Sequence, residues 1–168
     1  MSRARLTIAA QQLDKVRHFT KMFLADLAPE EWFWNPSELV THIAWQVGHL
    51  ACAQYSLCLK RMRGPSDVDE SIISAAFMKP FGKDSVPQAG ADGYPTPEEI
   101  VRVFDAVHAR AIAELAERTD AELDVPVDPP HPAFATRLEA VEFSPCHEMV
   151  HAGQIGLLRR LMGKVPLR

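Results

Sequence analysis

At 168 residues the chain has room for one domain around a single core, and 47% apolar against 24% charged residues excludes the disordered and fibrous classes. A net charge of −4, with basic residues scattered apart from short groups such as Lys60, Arg61 and Arg63, excludes the basic stripe that a nucleic-acid partner needs. Met1 to Lys15 mixes charges and Gln among its apolar residues, unlike a signal peptide, and no run of about eighteen apolar residues occurs, so neither export nor a membrane partner is expected and the chain is read as cytoplasmic.

From Leu6 to Leu27, the residues Leu6, Ala9, Leu13, Val16, Phe23, Leu24 and Leu27 recur at three- and four-residue steps, which predicts a first amphipathic helix. A loop with Trp32, Phe33 and Trp34 follows. Asn35-Pro36-Ser37-Glu38 then reads as a helix start, with Asn35 as cap and Pro36 at the first position, so a second helix is predicted from about Pro36 to Arg63, ending at Gly64-Pro65. The long connection from Gly64 to Thr96 is rich in Gly, Pro, Asp and Ser, with one short helix expected over Glu70 to Met78. Thr96-Pro97-Glu98-Glu99 predicts a capping box and a third helix to about Arg118. The proline-rich stretch Val125 to Pro132 is read as a loop before a last helix, roughly Ala135 to Met162, in which Pro145 is expected to make a kink or a fresh start. No alternating run long enough for a sheet is evident, so the expected class is all-α: a four-helix bundle, residues 1–168 forming a single domain.

His147-Glu148-Met149-Val150-His151 places two imidazoles one turn apart on one helix face, where they can share a metal ion. Such an ion wants three or four ligands, so another helix must supply a third. His49, beside the inward stripe of Ile43, Val47, Leu50 and Leu57, is the best choice. His42 lies two turns earlier on nearly the same face, too far along the axis to share the ion. His18 and His131 are read as structural, as are His42 and His108, which stand as outside candidates for lining a pocket. Cys52, Cys58 and Cys146 form no CxxC pair and are read as buried thiols outside the site.

His147 to His151 also matches HExxH, the zinc-peptidase pattern with Glu as general base. Beyond His151, however, no Glu, Asp or His remains to complete a peptidase site, and Leu157 stands where the extended motif has its last His. Peptidase activity is therefore a minor alternative, and Glu148 is read as an exposed helix residue in preference to a base beside the metal.

Trp34-Asn35-Pro36, Gly48-His49-Leu50-Ala51 and the segment His147 to Ile155, followed by Leu157-Leu158-Arg159-Arg160, together resemble the DinB/YfiT-like superfamily of metalloenzymes. That resemblance implies an up-down-down-up bundle, often a homodimer, with a metal bound by one histidine of helix two and two of helix four: His49, His147 and His151. It implies a divalent ion, zinc or nickel, and a small-molecule substrate, with a low-molecular-weight thiol as partner in an S-transfer reaction. Gln154 matches the family's glutamine and is expected to orient a ligand or to bond a neighbouring helix. Trp32, Phe33, Trp34 and Trp45 are candidates for a pocket wall. The other reading that the resemblance leaves open is a binding or stress-response module whose metal does no turnover.

Overall fold

The computed structural model describes residues 3–36 and 41–167. Helix α1 (Ala4–Leu24) buries Leu6, Ala9 and Leu13 at the predicted spacing. After a 3-10 turn at Pro29–Phe33, helix α2 runs over Ile43–Gln54 and continues through a π-type turn at Tyr55–Lys60 into α3 (Arg61–Arg63), ending at Gly64 with φ of 84°. The predicted exit is therefore met at a glycine whose positive φ suits a residue without Cβ.

The predicted entry is not. Asn35 and Pro36 are outside any helix, Ser37 and Glu38 fall outside the described residues, and His42 is extended at φ −129° and ψ 164°. His42 itself caps α2, its Nδ1 accepting from the Trp45 backbone N–H at 3.1 Å. An imidazole thus does the work usually given to Ser, Thr, Asn or Asp, so the start carries no familiar sequence signature.

The connection holds two short helices where one was expected: α4 (Asp69–Ile72) and α5 (Ala75–Phe81), parted by extended Ile73 and restarted by Ser74, whose hydroxyl accepts from the Phe77 N–H. Arg63 secures this crossing by pairing with Asp69 and Glu114 at 2.6 and 2.7 Å. Helix α6 (Pro97–Ala116) begins as predicted with Thr96 accepting from the Glu99 N–H, although the Glu99 carboxylate turns to Arg102 instead of closing a box.

Beyond α7 (Asp120–Leu123) the expectation of no sheet fails. Strands β1 (Pro126–His131) and β2 (Phe134–Thr136) form an antiparallel hairpin, Pro126 opposite Thr136 and His131 opposite Phe134. In a two-stranded ribbon, prolines that lack an N–H can occupy outward-facing positions, which hides the strand from a pattern search. Val127 and Phe134 are the buried anchors. Helix α8 (Arg137–Leu161) then runs unbroken through buried Pro145, without the fresh start expected there. The described residues are thus mostly helical with one small sheet. Helix α1 packs on α8 and α6, and α2 packs on α6, α5 and α8. Among the described residues no helix is long and apolar enough to cross a membrane.

Candidate metal centre

Helices α2 and α8 bring together the three histidines that spacing singles out. The ligand nitrogens of His49, His147 and His151 lie within 4.8 Å of one another. His147 and His151 are the tightest pair, with Nε2 to Nε2 at 3.1 Å. Two nitrogens bound to one tetrahedral zinc at about 2.0 to 2.1 Å stand about 3.3 Å apart, so this pair already has the spacing a shared ion requires. His49 approaches both rings, at centroid distances of 5.3 and 5.0 Å.

The tautomers follow from the acceptors behind each ring. His49 Nδ1 lies 2.9 Å from the Phe81 carbonyl oxygen, which only accepts, so Nδ1 carries the proton and Nε2 keeps its lone pair. Likewise His151 Nδ1 hydrogen-bonds to the side-chain oxygen of Gln46. Such backing partners orient a ligand imidazole and make its free nitrogen more basic. The bare Nε2 of His151 then points at Nε2 of His147, an approach that needs a proton or a cation between two lone pairs. Burial, with help from the adjacent imidazoles, pushes His147 down to about 4 and His151 down to about 3, and burial also holds His49 below the ordinary histidine value. All three are neutral donors near pH 7, the form a metal requires.

Local packing explains why His49 is so placed. A Cβ on Gly48 would sit 2.4 Å from the Phe81 ring. Glycine therefore lets α5 lie close against α2, and the last carbonyl of α5, free of an intrahelical partner, reaches His49. The Trp45 indole stacks on the His49 ring at 4.7 Å and is itself held by its N–H donating to Ser85. Of the aromatics expected at a pocket wall, Trp45 fits. Trp32 is instead buried and lines a cavity of about 450 Å³ with His18, Met22 and Phe104, and Phe33 packs near His42. Phe143 lies beside His147, a neighbour with no sequence signal of its own.

Glu148 is where the reading from sequence misses. It is not exposed but 3% accessible, and both its oxygens accept from Arg17, at 3.1 and 3.2 Å. Arg17 also donates to the Phe104 carbonyl and to Gln54, which donates to His108, which donates to Asp14. His108 thus belongs to a buried polar chain and His42 to a helix cap, and neither joins the triad. Position 148 is about 100° around the helix from His147, so a carboxylate there turns into the α1 contact while the histidines face α2. A buried cation on α1 could not be assigned to it from spacing alone. Gln154 is exposed, three residues after His151 on the same helix. Cys52 and Cys58 are buried as expected, whereas Cys146 is exposed.

Three nitrogen donors and no fourth protein ligand among the described residues make an open donor set, suited to a divalent ion that keeps a position for water or substrate.

Comparison with known proteins bears on the fold and the family. No curated protein matches the chain significantly. The crystal structure of a conserved protein from Enterococcus faecalis has the same fold, with a TM-score of 0.61 and 20% identity over 94% of this chain and 97% of that one. The family model of the DinB superfamily matches residues 12–155, which takes in the second half of α1, all of α2, most of α8 and all three histidines; the chain belongs to the DinB superfamily.

Proposed function

We propose that this protein binds one divalent metal ion, zinc or nickel, through Nε2 of His49, His147 and His151, and uses the open position for chemistry on a small molecule. The observation that carries the reading is the convergence of three neutral imidazoles from two helices, two of them with their Nδ1–H already engaged. A metal in such a site polarises a bound electrophile or holds a thiolate at neutral pH. The residues of this chain supply the rest: Phe81 and Gln46 hold ligand tautomers, and Trp45 and Phe143 give an apolar, aromatic border. Thiol-dependent S-transfer, with a low-molecular-weight thiol as co-substrate, is the reaction class that the superfamily resemblance favours. The same resemblance supports an up-down-down-up four-helix bundle acting as a homodimer, while chain length supports a single domain and the mixed polarity of Met1 to Lys15 a cytoplasmic location.

A non-catalytic metal-containing module is the second reading, supported by the partial burial of the ligands. Peptidase activity has less support, because the only glutamate of the motif is spent on Arg17.

Metal analysis of purified protein tests the site. Wild type is expected to retain about one equivalent of zinc or nickel and His49→Ala much less; equal retention would refute the ligand set. Incubating loaded protein with bacterial thiols and a panel of electrophiles tests the activity, with thiol loss above the His49→Ala background expected. No loss would favour the non-catalytic module.

A further inference from the structure

Gln46 sits on α2 one turn before His49, is 1% exposed, and reaches across to His151 on α8. Its amide oxygen faces Nδ1 of His151, while Nε2 of the same ring lies 3.1 Å from Nε2 of His147. The proton on His151 therefore has two possible homes with opposite consequences. On Nδ1 it is held by Gln46, and Nε2 is bare. On Nε2 it would donate to His147, and one hydrogen bond would then occupy both nitrogens that face the centre of the triad. Dispersion and shape cannot choose between these states, because the ring occupies the same place in each. Only the group behind Nδ1 distinguishes them.

We propose that Gln46 is a positioning residue that selects the metal-competent tautomer of His151, keeping the lone pair of its Nε2 turned to the centre of the triad. The proposal rests on the metal-site reading above but makes a separate claim about the metal-free protein. Gln46 has no role at the open position and touches the reaction only through His151. His49 does not need the same help, since a backbone carbonyl holds its proton. His151 depends on a side chain, which substitution can remove.

Long-range proton–nitrogen correlation spectra of metal-free protein with ¹⁵N-labelled histidine rings, at pH 7.5, read the tautomer directly. Wild type is expected to show His151 protonated at Nδ1. Gln46→Leu should move the proton to Nε2 and weaken zinc, measured by competition with a chelating dye, by about 10- to 100-fold. Gln46→Glu, which keeps an acceptor at that place, should restore both the Nδ1–H signal and most of the affinity. A wild-type His151 protonated at Nε2, or a Gln46→Leu protein with unchanged tautomer and affinity, would overturn the proposal. Wild type that shows the Nδ1–H tautomer but takes up no zinc would instead defeat the metal reading and leave the tautomer assignment standing.

Discussion

Gly48 and Glu148 lie next to histidines of the candidate site and act on it from opposite sides. At Gly48 the Phe81 ring fills the space a side chain would take, so Gly48→Ala must push α5 away and carry the Phe81 carbonyl off His49. Overpacking of this kind costs about 1–3 kcal/mol. A lower urea midpoint and weaker zinc binding are expected together. Gly153, mid-helix on α8 with open space around it, is the control: Gly153→Ala should gain about 0.5–1 kcal/mol and leave zinc affinity unchanged. Glu148 answers to a different term. Its partner Arg17 is nearly fully buried, and burial pulls that guanidinium down while Glu148 holds it up. Glu148→Ala would strand a buried cation, for a loss of about 3–5 kcal/mol by denaturant unfolding. Substituting both as Arg17→Met and Glu148→Leu should recover much of that loss; if the double variant is no better than the single one, the pair is not what Glu148 serves.

At the scale of elements, legibility followed the range of the interaction. The i,i+4 spacing of His147 and His151 is local, and it predicted their shared face from sequence. Apolar periodicity and the Thr96-Pro97 signal likewise set α1 and α6 to within a few residues. The start of α2 escaped because its cap is an imidazole, and the hairpin escaped because its strands carry prolines. The His42 cap has a testable consequence. Burial holds His42 down to about 4, against an ordinary value of 6.5, and Nδ1 must be unprotonated to accept the Trp45 N–H. Between those values the unfolded chain binds the extra proton, so stability from neutral His42 is complete above about 6.5 and lost as pH falls through about 4. A gap of roughly 2.5 units is worth at most about 3 kcal/mol. His42→Asn keeps a capping side chain but removes the titration. Urea midpoints of wild type should therefore fall more steeply from pH 6.5 to 4 than those of His42→Asn, and parallel profiles would show that the buried imidazole is not the cause.

For the whole molecule, the site is a tie between distant parts of the chain. His49 stands on α2 and the other two histidines on α8, and these helices pack directly on one another. Spacing along one helix cannot report such a contact, nor could it find Gln46 and Phe81, whose partners lie on other elements; His49 is reached through its place beside an inward apolar stripe, the need for a third ligand and the superfamily resemblance together. A metal bound by both helices binds the folded chain and not the unfolded one, so it must add to stability by mass action. Free zinc at about a hundredfold over its dissociation constant would contribute about 2.7 kcal/mol. In a chain of this length that corresponds to a rise in Tm of about 5–10 °C. The rise should vanish with a chelator and be absent in His49→Ala, although that variant keeps the His147–His151 pair on α8. Hydrogen exchange locates the effect: added protection should appear in both α2 and α8, because opening either helix releases the ion. Protection confined to α8 would mean that the pair binds alone and that the tie between the helices does not form.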